Sequence, residues 1–398
     1  MKPLSKKALS IEPSQTLVLF ARAKKMKAEG IDVVSFTAGE PDFPTPAIVK
    51  EAGIRAINEN FTKYTANPGI PELLKAVAQK FRTENNIETS PDQILVSTGA
   101  KHSVFNALQA LCNSGDEVII PSPYWVSYPE MVRLVDGRAV LVKTSAKNQF
   151  KMTPEELRKA MTKKTKAVIL NSPCNPTGAV YTREELEALG EVIRKSGVYV
   201  ISDEIYEKVI FDGISHFSLG SLPLLANQVI TVNGVSKAYS MTGWRLGFMT
   251  ANKKIIETAE KFQGQVTSNA TSISQRAALA ALTNNLEEVI RGMVSEFDRR
   301  RHYLVEQFQN ISGVQFVYPR GAFYLFFDVK TFFGKRHEGG VVKSSDDLCE
   351  YLLMKHKVAM VPGTGFGDRR WVRMSYACSM GEVQKGMERI KAGLASLQ

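Results

Sequence analysis

The segment from Ser236 to Arg245 combines an amine with two side chains that bind anions. Lys237 could form an imine with a carbonyl compound if desolvation or nearby cations lowered its pKa to ~7–8. Ser236 and Arg245 are suitable donors to a phosphate dianion. A phosphorylated carbonyl cofactor would therefore suit this segment, although a Ser-Lys pair considered alone is more often part of an ordinary surface.

Two further polar residues come directly after predicted buried strands. Asn175 lies in loop 171–178, where two X-Pro steps and a glycine favour an irregular turn that holds its side chain in place. Asp203 closes strand 198–202, and a carboxylate there is costly to desolvate unless it has a cationic partner such as a pyridinium nitrogen. A simple tight turn and a helix N-cap are the alternative interpretations of these two residues.

Two other positions could bind an anion. The turn at Gly99, Ala100 and Lys101 begins a predicted helix, and its backbone N–H groups could hold a phosphate. Arg373 lies inside an apolar strand, where a guanidinium group favours a bidentate carboxylate ligand. An ion pair within the protein is the alternative interpretation of Arg373.

Short apolar strands alternate with amphipathic helices through the first two thirds of the chain. This alternation predicts an α/β fold with a mostly parallel, doubly wound sheet. Ligands of such sheets bind at the carboxyl ends of the strands, where the residues named above lie. From residue 286 onward, a long helix followed by mixed strands and helices predicts a smaller α+β domain that the N-terminal segment completes. The predicted strands of the sheet are 94–96, 118–120, 139–142, 167–170, 198–202, 229–232 and 246–249.

The 398-residue chain carries a formal net charge of +11, but its lysines and arginines are spread along the whole length. The densest basic run, 299–302, is short, so we interpret it as a solvated helix face and expect no nucleic-acid binding. The four cysteines form no CxxC pair, which indicates neither a metal site nor a disulfide framework and favours the reducing cytoplasm. We expect neither a signal peptide nor a membrane-spanning segment.

Taken together and in this order, these segments resemble the class I aminotransferases of the fold-type I pyridoxal-phosphate enzymes. The resemblance covers nearly the whole chain and is strongest to bacterial aspartate aminotransferases of the subgroup that also contains prephenate aminotransferases. It implies a large domain at 46–285 with a mostly parallel seven-stranded sheet between helices, and a small α+β domain at 286–398. Residues 1–45 would form an N-terminal arm and part of the small domain. The segments that carry the resemblance are 39–43, 63–64, 121–125, 171–178, 203–206, 236–237, 243–247 and Arg373.

The resemblance implies that pyridoxal 5′-phosphate is the cofactor. Lys237 would hold it as a Schiff base and later move a proton from the substrate Cα. Asp203 would pair with the pyridinium nitrogen, while Asn175 and Tyr206 would bind the phenolic oxygen. Trp125 would stack on the ring. The residues implied to bind the phosphate or to lie beside it are Gly99, Ala100, Lys101, Ser236, Arg245 and, from the neighbouring subunit of a homodimer, Tyr64.

The same resemblance implies amino transfer between aspartate or glutamate and 2-oxoglutarate or oxaloacetate, in two ping-pong half-reactions. Arg373 would bind the α-carboxylate, and Lys101 would bind the side-chain carboxylate with help from Thr16. Glu12 stands where prephenate-using relatives often carry a basic residue, which favours aspartate over prephenate as the substrate. The residues implied to line the substrate site also include Gly39, Trp125 and Asn175.

Other functions use the same residues. A preference for prephenate or aromatic substrates, alone or beside aspartate, would keep the same cofactor chemistry. A β-lyase or a cyclopropane-forming enzyme would use the same scaffold but release different products. A regulator without enzymatic activity would need an added DNA-binding domain, and we expect none before Pro46 or after Arg373.

Overall fold

The computed structural model of the chain describes residues 2–398. Local sequence signals set several helix ends. Thr182 and Glu185 form the predicted capping box at the start of one helix, and Gly197 ends that helix in the left-handed conformation. The helices of the described chain are α1 (Lys6–Leu9), α2 (Gln15–Ala28), α3 (Ala47–Asn58), α4 (Pro71–Asn85), α5 (Ala100–Leu111), α6 (Ser127–Leu134), α7 (Pro154–Ala160), α8 (Arg183–Ser196), α9 (Lys253–Val266), α10 (Ser272–Thr283), α11 (Glu287–Gln309), α12 (Ser345–His356) and α13 (Met380–Ala395).

The strands form two larger sheets and two short pairs. In residues 2–398 they are β1 (Val34–Ser35), β2 (Ile94–Ser97), β3 (Glu117–Ser122), β4 (Arg138–Lys143), β5 (Thr165–Asn171), β6 (Tyr199–Asp203), β7 (Val229–Gly234), β8 (Gly247–Thr250), β9 (Gln315–Val317), β10 (Tyr324–Asp328), β11 (Arg336–His337), β12 (Gly340–Val341), β13 (Val358–Ala359), β14 (Val361–Pro362) and β15 (Trp371–Ser375).

The larger sheet has seven strands in the order β2-β8-β7-β6-β5-β3-β4. Strand β8 runs antiparallel to both of its neighbours. The other pairs in the sheet are parallel. These seven strands correspond to the seven predicted ones, so the predicted α/β fold with a mostly parallel seven-stranded sheet is confirmed.

Helices cover both faces of this sheet, which explains why its strands are almost continuously apolar. On one face, Val118 and Ile120 of β3 share a buried core with Leu108 of α5. On the other face, Ile119 of the same strand packs in a separate core with Leu189 of α8. Charged side chains are therefore absent from the middle of these strands and occur at or near their ends.

The second sheet is antiparallel, with the order β14-β15-β10-β9. Leu325 and other buried residues of this sheet share a core with Phe297 of α11, Leu352 of α12 and Ile390 of α13. Phe326 and Trp371 belong to a separate, smaller core. Near the N-terminus, β1 pairs in parallel with β13, so the N-terminal segment adds to this part of the structure. The domain boundaries after residues 45 and 285 stay a prediction.

The interpretation of the basic run 299–302 as a solvated helix face is wrong for its two central residues. Arg300 is 3% exposed and Arg301 is 0% exposed. Arg300 donates to Asp42, and Arg301 donates to both carboxylate oxygens of Asp212. These pairs connect α11 to two distant loops.

Among the helices of residues 2–398, none combines the length and the apolar character needed to cross a membrane.

Candidate active site

The carboxyl ends of neighbouring parallel strands bring distant polar residues to one edge of the seven-stranded sheet. Asn171 at the end of β5 is paired in register with Asp203 at the end of β6. Strand β7 ends at Gly234, just before Ser236. A cavity of about 330 Å³ lies at this edge. The predicted site residues that line it are Thr16, Gly39, Ala100, Lys101, Trp125, Asn175, Asp203, Tyr206, Ser236, Lys237, Arg245 and Arg373.

Lys237 presents a partly buried amine to this cavity. Its Nζ donates to the carbonyl oxygen of Gly39. Burial lowers the pKa of Lys237 to about 8, and the positive charges of Arg245 and Arg373 add to this effect. A free amine with this pKa is partly neutral near neutral pH, as a nucleophile that forms an imine must be.

Asp203 is a buried carboxylate that forms no salt bridge in the described part of the chain; it is 4% exposed. Its Oδ2 accepts a hydrogen bond of 2.7 Å from the Tyr128 hydroxyl, and its Oδ1 accepts from the Ile205 N–H at 3.2 Å. Burial raises the pKa of Asp203 to about 6, although the hydrogen bond from Tyr128 opposes the rise. A protonated ring nitrogen at the cavity would therefore stabilise the ionised form of this carboxyl group.

The start of α5 has free backbone donors and a guanidinium group beside it. A side chain at Gly99 would place its Cβ only 2.6 Å from Nη2 of Arg245, so the absence of a side chain lets the guanidinium group pack on the turn. Within residues 2–398, the backbone N–H groups of Ala100 and Lys101 donate to no protein acceptor. With the Ser236 hydroxyl and Arg245, these donors are suited to a phosphate dianion at a helix N-terminus.

Arg373 on β15 is 1% exposed, yet it pairs with no carboxylate among residues 2–398. Its Nη1 donates to Asn175 Oδ1 at 3.0 Å and its Nη2 donates to the Thr37 carbonyl oxygen at 2.8 Å. Its Nε has no hydrogen-bond partner in that range, and burial lowers the pKa of Arg373. The structure contradicts the alternative of an internal ion pair and leaves a guanidinium group that can bind an external carboxylate.

A second cation is available at the same cavity. Lys101 lies on the first turn of α5, with its Nζ 4.8 Å from the centroid of the Trp125 ring. Partial removal from water lowers the pKa of Lys101, and the charge of Arg245 adds to this effect. Thr16 also lines the cavity, and its Oγ1 has no hydrogen-bond partner in the described chain. An ammonium and a hydroxyl group are therefore available besides Arg373.

Two predicted site residues do not line the cavity. Gly99 lies directly beneath the Arg245 guanidinium group, which takes the space that a side chain at this position would need. Tyr64 is 92% exposed. The predicted contribution of Tyr64 to the site of a neighbouring subunit therefore stays a prediction.

Sequence reasoning missed two tyrosines at the cavity, Tyr128 and Tyr324. The Tyr128 ring packs edge-on against Trp125, with 5.2 Å between centroids, and its hydroxyl binds Asp203. The three-residue spacing from Trp125 is a signal that could have identified Tyr128. Tyr324 lies 2.8 Å from Tyr206, hydroxyl to hydroxyl, but in the sequence it resembles any other residue of a buried strand.

The family model described as aminotransferase class I and II matches residues 31–390. The chain belongs to this family. A bifunctional aspartate aminotransferase and glutamate/aspartate-prephenate aminotransferase from Petunia hybrida is 47% identical to this aminotransferase in an alignment of 399 positions, which covers 99% of this chain and 83% of the relative. The aspartate aminotransferase of Bacillus subtilis (strain 168) is 44% identical over 389 residues, 98% of each chain.

The solved aspartate aminotransferase of Rhizobium meliloti has a TM-score of 0.96 and 41% identity, with 100% of both chains covered. The aspartate aminotransferase of Thermus thermophilus with maleate has a TM-score of 0.93 and 41% identity, over 99% of this chain and 100% of that one.

Aminotransferases of this family depend on pyridoxal 5′-phosphate, and this is the cofactor of the chain. The residues at the cavity fit it. The amine of Lys237 suits the carbonyl carbon, and the carboxylate of Asp203 suits a protonated ring nitrogen. The phosphate suits the backbone donors at Ala100 and Lys101 together with Arg245.

A second group of buried ionisable residues follows β6 in this aminotransferase. The ligand atoms of Glu204, Glu207 and His216 lie within 4.8 Å of one another. His216 Nε2 lies 2.8 Å from Glu204, while Lys80 and Asn85 donate to Glu207. Two serine hydroxyl groups donate to the remaining oxygen of Glu204. Since each carboxylate oxygen already has a partner and Lys80 supplies a positive charge, we interpret this group as structural.

Proposed function

We propose that this aminotransferase moves the amino group between L-aspartate or glutamate and 2-oxoglutarate or oxaloacetate by a ping-pong mechanism. The observation that carries the proposal is the presence of two separate cations, Arg373 and Lys101, in the lining of one cavity. A dicarboxylate substrate needs one cation for each carboxylate. The relatives from Bacillus subtilis and Rhizobium meliloti, which are named aspartate aminotransferases, support the same substrate class.

Lys237 is the proposed nucleophile and proton carrier. When bound, pyridoxal 5′-phosphate supplies a protonated ring that delocalises the electrons left when the substrate Cα loses its proton. With a pKa of about 8 for Lys237, about a tenth of the free amine is neutral at pH 7. Nζ of Lys237 can then accept the proton from the substrate Cα. It would later pass this proton on to the C4′ carbon of the cofactor.

Asp203 and the donors around it hold the cofactor in this proposal. The Asp203 carboxylate keeps a proton on the ring nitrogen, because burial makes a nearby positive charge strongly favourable. Asn175 and Tyr206 donate to the phenolic oxygen, and Trp125 covers the ring. Ser236, with Arg245 and the start of α5, binds the phosphate.

Arg373 orients the substrate. Its guanidinium group is held by Asn175 and the Thr37 carbonyl oxygen, so its direction is set before the substrate arrives. Binding the α-carboxylate there restricts the substrate to one orientation relative to Lys237 and lowers the entropic part of the barrier. Lys101 and Thr16 then bind the side-chain carboxylate, which selects aspartate and glutamate over neutral amino acids.

A substrate panel on the purified, cofactor-loaded enzyme tests this proposal. The specificity constant, kcat/KM, should be higher for aspartate and glutamate than for phenylalanine with the same keto acid. A panel in which phenylalanine or prephenate is used well and aspartate is not would contradict the proposed substrate class. Release of pyruvate and ammonia in place of a new amino acid would indicate a lyase.

Prephenate is the second candidate substrate because of the names of relatives. The Petunia hybrida protein and a probable enzyme of Rickettsia bellii (44% identical over 400 residues) are both named with prephenate. In this chain Glu12 is exposed, and its backbone N–H donates to the carboxylate of Glu130 at 3.2 Å. Two carboxylates here would repel a carboxylate group of prephenate placed beside them. We therefore propose that prephenate is the weaker substrate, and the same panel compares the two.

The proposed active unit is a homodimer in which Tyr64 reaches the phosphate of the neighbouring site. The support is its exposure of 92% in the single chain. Ile54 and Ile57, one turn apart on α3, are also exposed and are suited to burial against a second copy.

The free state of the four cysteines supports the proposed cytoplasmic location.

A further inference from the structure

Tyr324 occupies the back of the cavity on β10 and is fully buried. In the antiparallel pair of β10 and β15, Tyr324 is opposite Ser375 and Phe326 is opposite Arg373. Tyr324 and Arg373 are therefore diagonal neighbours on one face of the sheet, within reach of a long side chain. The second sheet thus supplies both residues to the cavity from the same face.

The Tyr324 hydroxyl contacts the cofactor side of the site. Its oxygen lies 2.8 Å from that of Tyr206. A side chain at Gly39 would place its Cβ 2.8 Å from the same hydroxyl oxygen, so Tyr324 fills the space that a larger residue would take there. The Gly39 carbonyl oxygen in turn accepts the hydrogen bond from Lys237.

The direction of the hydrogen bond between the two tyrosines follows from the number of protons. Each phenol has one hydrogen to donate. If Tyr206 donates to the cofactor, its proton is not available to Tyr324. Tyr324 must then donate to the oxygen of Tyr206, which makes the Tyr206 hydroxyl a stronger donor to its ligand.

The ring of Tyr324 contacts the substrate side of the site. The Arg373 guanidinium carbon lies 4.5 Å from the centroid of this ring. Arg373 is buried without a carboxylate partner in the described chain, so the face of an aromatic ring stabilises its charge before a substrate binds.

We propose that Tyr324 is a positioning residue with two separable parts: the hydroxyl group strengthens Tyr206 as a donor to the cofactor, and the ring holds Arg373 in place for the substrate carboxylate. This inference rests on the proposed function. It assigns to one side chain the connection between the cofactor-binding and carboxylate-binding halves of the cavity.

Two substitutions separate the two parts. Tyr324→Phe removes the hydroxyl and keeps the ring, whereas Tyr324→Leu removes both. Without the hydrogen bond from Tyr324, Tyr206 is a weaker donor to the phenolic oxygen of the cofactor. That oxygen is then less stabilised as an anion, so the proton that it shares with the imine nitrogen is lost only at higher pH. In Tyr324→Phe, the midpoint of the pH titration of the visible absorbance should therefore rise by about half a pH unit.

Binding of maleate, an unreactive dicarboxylate, measures the second part. Its dissociation constant should stay within about twofold of the unchanged enzyme in Tyr324→Phe. It should increase about fivefold in Tyr324→Leu, because Arg373 loses the aromatic face. Tyr376→Phe is the matched control, since Tyr376 is also fully buried in the second sheet's core but donates to the Ala322 carbonyl oxygen outside the cavity. Tyr376→Phe should change neither the midpoint of the pH titration nor the dissociation constant of maleate.

The outcomes distinguish this inference from the function on which it rests. An unchanged enzyme whose visible absorbance does not respond to pH, or that does not bind maleate, would contradict the proposed function. If the unchanged enzyme behaves normally, an unshifted or lowered midpoint in Tyr324→Phe would overturn the role of the hydroxyl group. A shift of the same size in Tyr376→Phe would show a general structural effect and would also overturn it. The Tyr324→Phe result decides the hydroxyl's role even if Tyr324→Leu does not fold.

Discussion

Replacing Lys101 with methionine removes the second cation from the cavity and keeps most of the side-chain volume. Arg373 can still bind the α-carboxylate of any amino acid, so only substrates with a second carboxylate lose an interaction. A hydrogen bond to a charged group contributes about 1.5–3 kcal/mol to binding. Because Lys101 keeps contact with water, we take the lower part of that range. A loss of about 1.5–2 kcal/mol corresponds to a decrease of about ten- to thirtyfold.

The assay is steady-state kinetics with aspartate and with phenylalanine, using the same keto acid. In Lys101→Met, kcat/KM for aspartate should fall by about ten- to thirtyfold, and the value for phenylalanine should stay within about twofold. Lys195→Met, which changes an exposed lysine on α8, is the control for the loss of one positive charge. Equal losses for the two amino acids would refute the role of Lys101 as the ligand of the side-chain carboxylate.

Three further substitutions test the site and its support. Lys237→Ala should abolish both the visible absorbance of the bound cofactor and amino transfer; turnover like that of the unchanged enzyme would reject Lys237 as the nucleophile. Hybrid dimers of Lys237→Ala and Tyr64→Ala subunits should contain one site of unaltered affinity for pyridoxal 5′-phosphate, because that site takes Lys237 from one chain and Tyr64 from the other. A cofactor titration that finds only weakened sites would argue against a shared site. Glu207→Gln leaves the buried Lys80 with only the more distant carboxylate of Glu84, 3.6 Å away, as its anion, so the free energy of unfolding at neutral pH should fall by about 3 kcal/mol. Burial alone would raise the pKa of Glu207, but Lys80 and the neighbouring groups lower it from 4.5 to about 2. The stability from this carboxylate is therefore present above its unfolded pKa and lost as the pH falls from 4.5 toward 2. Denaturant unfolding across this range should show the loss in the unchanged protein and not in Glu207→Gln; the same pH dependence in both would contradict it.

The position of the cavity could be predicted from the sequence because it follows from strand direction. Asn171 and Asp203 each end an apolar strand, and parallel strands place their carboxyl ends at one edge. The same logic located Lys237, just beyond β7. Arg245 reaches this edge from the opposite direction, because it precedes the antiparallel strand β8. In each case, the position of the residue next to the end of a predicted strand was sufficient to place it at the cavity.

Residues that meet only through tertiary packing could not be predicted in this way. Tyr324 and Tyr206 are far apart in the sequence, and their hydroxyl contact depends on how the second sheet packs beside β6. Lys80 and Glu207 also come from separate parts of the chain, and each looks like a solvated helix or loop residue when taken alone. A hydrophobic pattern indicates which face is buried, but it does not say which polar groups become partners there.

The contrast between two buried arginines shows which charge is structural and which is available for binding. Arg301 is 0% exposed and Arg373 is 1% exposed, so burial does not distinguish them. Arg301 binds both oxygens of Asp212 and also pairs with Asp298, and its pKa is raised although burial opposes this. Arg373 has only the neutral oxygens of Asn175 and Thr37, and burial lowers its pKa. A buried charge without a counter-ion destabilises a folded chain, so the fold would gain from pairing Arg373 as it has paired Arg301. That Arg373 instead faces a cavity is understandable if its counter-ion is a carboxylate that enters and leaves with each catalytic cycle.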